Sequence, residues 1–161
     1  MTSDQLSMFA GDDAGKKAAA TSFSLTRIIN GKQQQVCDHW LMPVLIGEWM
    51  FGPKVQAEKI LDLQTTVRKN GEFNFRIYRR GSDIDHHGVY RELNIPSRLV
   101  FSWIESDQPE IESQVTVQFS AEADKTKLKL QVNLPAELSA NKDKIKKTWT
   151  ARCKALAEKF K

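Results

Sequence analysis

The pattern of hydrophobic and polar residues divides the chain into a polar start and a long patterned remainder. Residues 1–21 are mostly small, polar or charged and offer little apolar surface to bury. We therefore expect a flexible N-terminal tail, followed by one domain over residues 22–161. From Phe23 to Ile29 core-type residues alternate with polar ones, which predicts a first strand.

A helical pattern follows the turn signal Asn30-Gly31. Val36, Trp40 and Leu41 share one face at helical spacing. Pro43 interrupts this run, because proline lacks the amide hydrogen that a helix interior requires. The sequence therefore predicts two short helices within residues 32–50.

Most of the remaining chain carries strand signals. Val55–Val67 predict one or two strands, and Asn70-Gly71 is typical of a hairpin turn. Further alternating stretches, separated by turn residues, are centred on residues 73–77, 87–93, 99–103, 115–119 and 128–132. Strands joined by short turns indicate an antiparallel, meander-like sheet.

The chain ends in a predicted amphipathic helix. One apolar stripe is formed by Ile145, Trp149, Cys153, Leu156 and Phe160. This stripe needs a surface to cover, and the sheet offers one. The order of elements thus predicts an α+β fold, in which a curved antiparallel sheet wraps around a long C-terminal helix. Any unfilled space between them would form a concave apolar site.

Composition and charge narrow the possible functions. The chain has 161 residues, 40% hydrophobic and 27% charged, with a net charge of +4. It shows neither a basic stripe interleaved with aromatics nor a long apolar run, so we expect neither nucleic-acid binding nor a membrane span. We expect a cytoplasmic protein, in which Cys37 and Cys153 are buried free thiols.

The titratable residues give no strong catalytic signal. His86 and His87 lie near two aspartates, but adjacent strand residues point to opposite faces and cannot readily share a metal ion. Nucleophile motifs and phosphate-binding glycine loops are absent from the sequence. We expect no metal and no cofactor, and catalysis would depend on scattered residues such as Arg27, Tyr90 or Glu92.

The aromatic residues are the best candidates for contact with a ligand. Strand alternation places Phe73 and Phe75 on one face, and likewise Phe101 and Trp103. Simple core packing explains any one of them equally well. The predicted ligand-binding set is Trp49, Phe73, Phe75, Tyr90, Phe101, Trp103, Trp149 and Cys153.

One short motif lies in the N-terminal tail. Gln5-Leu6-Ser7-Met8-Phe9 resembles the pentapeptide with which bacterial replication and repair proteins bind the sliding clamp. A disordered peptide could place Leu6, Met8 and Phe9 in an apolar groove while Gln5 forms hydrogen bonds beside it. A chance match remains the alternative.

Several stretches together resemble a known family. Residues 87–93 (HGVYREL), then Pro96 and residues 98–103 (RLVFSW), resemble the signature Gly-x-Tyr-x-Glu-Ile followed by Pro-x-Arg-Leu-Val-Phe-x-Trp. Residues 36–49 and 70–75 resemble the family's helix-Pro-helix region and its Gly-Gly-x-Phe strand. The family that these stretches resemble is the AHSA1-like (activator of Hsp90 ATPase homologue-like) domain of the START/SRPBCC superfamily.

The resemblance implies a helix-grip fold with a hydrophobic pocket, and it leaves three functions open. The first is binding of a small apolar molecule between the sheet and the last helix. The second is a protein-interaction module, acting on an Hsp90-type chaperone or, through the tail, on a sliding clamp. The third is a lyase- or cyclase-like enzyme, which a buried pair of titratable groups in the cavity would favour.

Overall fold

The sheet has seven strands, all antiparallel, in the order β1-β7-β6-β5-β4-β3-β2. It is seen in a computed structural model that describes residues 19–161. The strands are β1 (Thr21–Ile29), β2 (Lys59–Thr65), β3 (Glu72–Arg79), β4 (Ser82–Asn94), β5 (Arg98–Glu105), β6 (Ser113–Glu122) and β7 (Lys125–Leu134). The six strands from β2 to β7 form a meander, and β1 pairs with β7 at the far edge. The Gln5–Phe9 motif lies outside the described residues.

The helices are α1 (Gln33–Asp38), α2 (Pro43–Ile46), a 3-10 helix (Ala136–Asn141) and α3 (Lys142–Glu158). Pro43 is the first residue of α2, where its missing amide hydrogen costs nothing. The predicted pair of short helices and the long final helix are therefore confirmed. Between residues 55 and 67 the chain forms one strand, β2, preceded by turns.

One face of the sheet is lined by inward-pointing residues of every strand and covered by the helices. Leu128, Leu130 and Val132 of β7 are almost fully buried, and residues between them are exposed. The ring of Trp40, just after α1, packs against those of Trp49 and Trp149 in the same core. The predicted α+β fold, a curved sheet around the C-terminal helix, is confirmed.

Gly88 marks a close approach within the sheet. A Cβ at this position would clash with the carbonyl oxygen of Ser102 on β5 and lie 2.8 Å from the Phe73 ring. The pairing of β4 with β5 also shifts between Tyr90 and Glu92, which is the mark of a β-bulge. A glycine and a bulge are common where a sheet bends.

One sequence expectation is met elsewhere in the core. Cys37 and Cys153 are both buried free thiols, and burial raises the pKa of each to about 12. Such thiols stay protonated and react slowly at neutral pH. Within residues 19–161, no helix is long and apolar enough to cross a membrane.

Candidate functional site

A cavity of about 650 Å³ opens between the sheet and the beginning of α3. The turn between β3 and β4, the loop between β5 and β6, and the 3-10 helix complete its walls. Its size lies within the range of small-molecule sites. The apolar part of the lining consists of Ile84, Trp103, Ile111, Val132, Leu138, Ile145 and Trp149.

The rest of the lining is polar, so the cavity is amphipathic rather than wholly apolar. Arg80, Asp83 and Lys144 lie at the exposed rim. Less exposed charged residues also line the cavity: Glu105 belongs to β5 and Arg152 belongs to α3. A molecule in this space would meet aromatic surface and charged groups together.

Arg152 is the most deeply placed charge in the lining. Only 2% of its surface is exposed, and its Nε donates a hydrogen bond of 3.0 Å to the carbonyl oxygen of Met50. Its guanidinium carbon lies 4.6 Å from the ring centroid of Trp149, 5.3 Å from that of Trp103 and 5.4 Å from that of Phe51. These are cation–π distances.

Burial lowers the pKa of Arg152 to about 10, although the nearby carboxylates of Glu58 and Glu105 act in the opposite direction. A guanidinium with this pKa keeps its proton at neutral pH. The cavity therefore contains a positive charge held among aromatic rings, in surroundings where electrostatic attraction is stronger than in water.

Arg79, in contrast, is surrounded by acceptors. Its Nη1 donates a 2.8 Å hydrogen bond to Gln56 and lies 3.6 Å from Glu58 Oε1. Its Nη2 lies 3.3 Å from Glu105 Oε1. The Glu58 side chain is fully buried, and this burial raises its pKa above the ordinary value. Arg79 thus engages both of the carboxylates nearest to Arg152.

His86 lies beneath this group, between Phe75 and Glu105 in the strand pairing. Its Nε2 is 3.6 Å from Glu105 Oε2, and the ring is fully buried. Burial lowers its pKa well below the usual value, and the charges of Arg152 and Arg79 act in the same direction. The imidazole is therefore neutral at pH 7. It does not line the cavity.

Along β4 the side chains alternate as the sequence predicts: His86 is buried on the inward face of the sheet, and His87 is half-buried on the opposite face. No group of three or more His, Cys, Asp or Glu residues within positions 19–161 is arranged to hold a metal ion.

The structure brings all eight predicted ligand-binding residues into one core. Trp103 and Trp149 line the cavity, and their rings meet edge to face with centroids 5.1 Å apart. The other six are buried outside the lining: Trp49, Phe73, Phe75, Tyr90, Phe101 and Cys153. For these six, contact with a ligand stays a prediction, and here they pack the core.

Sequence reasoning missed the charged residues of the site. Arg152 carries a signal, because it follows Trp149 by three positions and precedes Cys153, within the apolar stripe of α3. An arginine in such a stripe is typical of a buried, functional or paired charge. Nothing in the sequence marks Glu58 as part of the site, since it lies in an irregular stretch just before β2.

Comparisons with known proteins give a consistent result. The structure of protein CV1439 from Chromobacterium violaceum matches with a TM-score of 0.73 and 18% identity, over 85% of this chain and 94% of that one. The AHSA1-like protein from Aeromonas hydrophila matches with a TM-score of 0.69 and 16% identity, over 86% and 90%. At these identities the likeness shows the fold alone.

CalU16 from Micromonospora echinospora also has this fold, with a TM-score of 0.63 and 22% identity over 86% of this chain and 73% of that one. No curated protein sequence matches the chain. The family model described as "Activator of Hsp90 ATPase homolog 1-like protein" matches residues 32–161. This match covers most of the chain, and the protein therefore belongs to the AHSA1 family.

Proposed function

We propose that this protein binds a small molecule with an apolar body in the cavity between the sheet and α3. The observation that supports this most directly is a ligand-sized space of about 650 Å³ with Trp103 and Trp149 in its wall. Trp103 and Trp149 are only 6% and 2% exposed, so each presents a small part of its ring to this space. The half-buried Ile111, Leu138 and Ile145 extend the apolar lining, and covering it with a ligand would remove apolar surface from water.

The two other functions, catalysis and protein interaction, stay predictions from the sequence. Catalysis would need a reactive pair in contact with the substrate: Arg79, Glu105 and Arg152 line the cavity, whereas the buried His86 does not. Action on an Hsp90-type chaperone is supported by the description of the matching family model alone. The tail motif Gln5–Phe9, which would bind the sliding clamp, lies outside residues 19–161.

Two threonines on α3 provide a matched test of the cavity. The hydroxyl of Thr148 donates to Lys144 O at 3.2 Å, and that of Thr150 donates to Lys146 O at 2.7 Å. Thr148 lines the cavity, whereas Thr150 is exposed and does not. Thr148→Phe should fill part of the cavity, and Thr150→Phe should leave it open.

The measurement is a titration with N-phenyl-1-naphthylamine, a neutral dye whose emission rises in apolar surroundings. We expect the unaltered protein and Thr150→Phe to bind the dye equally well. Thr148→Phe should bind it about tenfold more weakly or worse, since part of the buried contact is lost. Circular dichroism checks that both variants fold. Absence of dye binding, or equal losses in both variants, would contradict the proposal.

A further inference from the structure

The acceptors near the cavity are distributed unequally between its two inner arginines. Arg79 has Gln56, Glu58 and Glu105 around its two terminal nitrogens. Within residues 19–161, the side chain of Arg152 makes one hydrogen bond, from Nε to the carbonyl oxygen of Met50, and no carboxylate forms an ion pair with it. Nη1 and Nη2 of Arg152 thus have no protein acceptor in the described part of the chain.

A buried arginine in this state is costly. Removing a charge from water is expensive, and the expense is normally offset by a paired anion and by hydrogen bonds to every donor. At Arg152 the offset comes from the nearby carboxylates of Glu58 and Glu105, which lie beyond ion-pair distance, and from three aromatic rings and one carbonyl. The rings contact the guanidinium through their π faces, and they cannot accept strong hydrogen bonds from the terminal amino groups.

We propose that Arg152 binds the carboxylate of an amphipathic acid whose apolar body lies against Trp103 and Trp149. This inference rests on the proposed function and names the class of ligand. A carboxylate matches the two free amino groups of a guanidinium in a planar, two-pronged hydrogen bond, which lysine cannot form. Arg152 then binds the charged end of the molecule, and the two tryptophans contact its apolar end.

The other positive residues of the lining do not offer the same contact. Arg79 is engaged by its own acceptors, and Arg80 and Lys144 lie at the exposed rim. An anion at the rim would be screened by water and salt. Arg152 combines charge, burial and free donors, so it should discriminate an acid from a neutral analogue of the same shape.

The experiment compares 1-naphthylacetic acid with 1-naphthylacetamide, which differ in charge and hardly in size. Isothermal titration calorimetry at pH 7 measures both against the unaltered protein, Arg152→Met and Lys147→Met. We expect the unaltered protein to bind the acid about tenfold or more tightly than the amide, the range of a hydrogen-bonded charge. Arg152→Met should lose this preference while keeping its affinity for the amide.

Lys147→Met is the control for general positive charge, because Lys147 is an exposed cation of the same helix outside the cavity lining. It should keep the preference for the acid. If Arg152→Met does not fold, Arg152→Lys retains the charge without the planar fork, and it should weaken acid binding but not amide binding.

The outcomes separate the two proposals. If the naphthylamine dye and the amide bind but the acid is not preferred, the role of Arg152 is overturned and the ligand-binding function stands. The role is also overturned if Arg152→Met keeps the preference, or if Lys147→Met loses it equally. If neither the dye nor either naphthyl compound binds, the proposed function itself fails.

Discussion

The two halves of the inward face of the sheet follow the same alternation but carry different residues. On β1, β7 and β6 the inward positions are almost all apolar, as in Phe23, Leu130 and Val117. On β3, β4 and β5 they include Arg79, His86 and Glu105. We call these the apolar half and the polar half. Both halves are antiparallel, but the pairing of β4 with β5 shifts at a β-bulge, whereas β7 pairs with β1 and with β6 without a shift.

This difference in side chains separates stability from recognition. Apolar residues that fill space contribute most of the favourable free energy of folding. Charged and polar residues at equivalent positions cost free energy unless they are paired, and they leave space and unused donors for a ligand. The polar half therefore gives up stability where the cavity opens, and the apolar half makes up the difference.

The largest expected effect is in the apolar half. Leu130 is fully buried between Leu25 of β1 and Val117 of β6 in the strand pairing. Leu130→Ala should lower the free energy of unfolding by about 2–5 kcal/mol, since it leaves a void in the core outside the cavity lining. Urea denaturation measures this loss. A loss below about 1 kcal/mol would mean that this half is not closely packed.

Adjacent positions on α3 should respond in opposite ways. Cys153 belongs to the apolar core, so Cys153→Ser buries a hydroxyl and should cost about 1–3 kcal/mol. Arg152 packs against Trp103 of the polar half, and Arg152→Met removes an incompletely paired charge. The free energy of unfolding of Arg152→Met should stay within about 1 kcal/mol of that of the unaltered protein, or exceed it. Thermal and urea unfolding of both variants check this contrast, which equal losses would refute.

The smallest expected effect is a dependence on pH. The folded state holds His86 neutral with a pKa well below 6.5, whereas the unfolded chain takes up the proton near pH 6.5. The unfolded state therefore binds more protons, and the free energy of unfolding should fall as pH drops below about 6.5, by at most about 1.4 kcal/mol per unit.

His86→Leu should flatten this dependence between about pH 7 and 5.5, and His87→Gln on the opposite face should retain it. Urea denaturation at several pH values measures both variants. An unchanged slope in His86→Leu would assign the effect to other groups.

Periodicity and turn residues were enough to predict the sheet, the helices and their order. Phe73 with Phe75, and Phe101 with Trp103, do share the inward face, because alternation depends only on the backbone. The family resemblance, carried by residues such as Gly88 and Trp103, supplied the helix-grip fold.

The cavity itself could not be predicted in the same way. Whether a ring fills space or borders it depends on how far α3 lies from the sheet at that point, which no local pattern records. The sequence pattern of Trp49 and of Trp149 fits either core packing or contact with a ligand. Of the two, only Trp149 lines the cavity. The pairing of Glu58 with Arg79 joins residues from separate elements, so it is visible only in three dimensions.

The contact of Arg152 with two indole rings has a spectroscopic consequence. Trp103 and Trp149 lie over its guanidinium, whereas Trp40 and Trp49 are outside the cavity lining. A positive charge beside an indole changes the energy of its excited state, and an arriving anion would offset that charge. The protein's own tryptophan emission should therefore shift when the cavity is occupied, so that binding can be followed without any added dye.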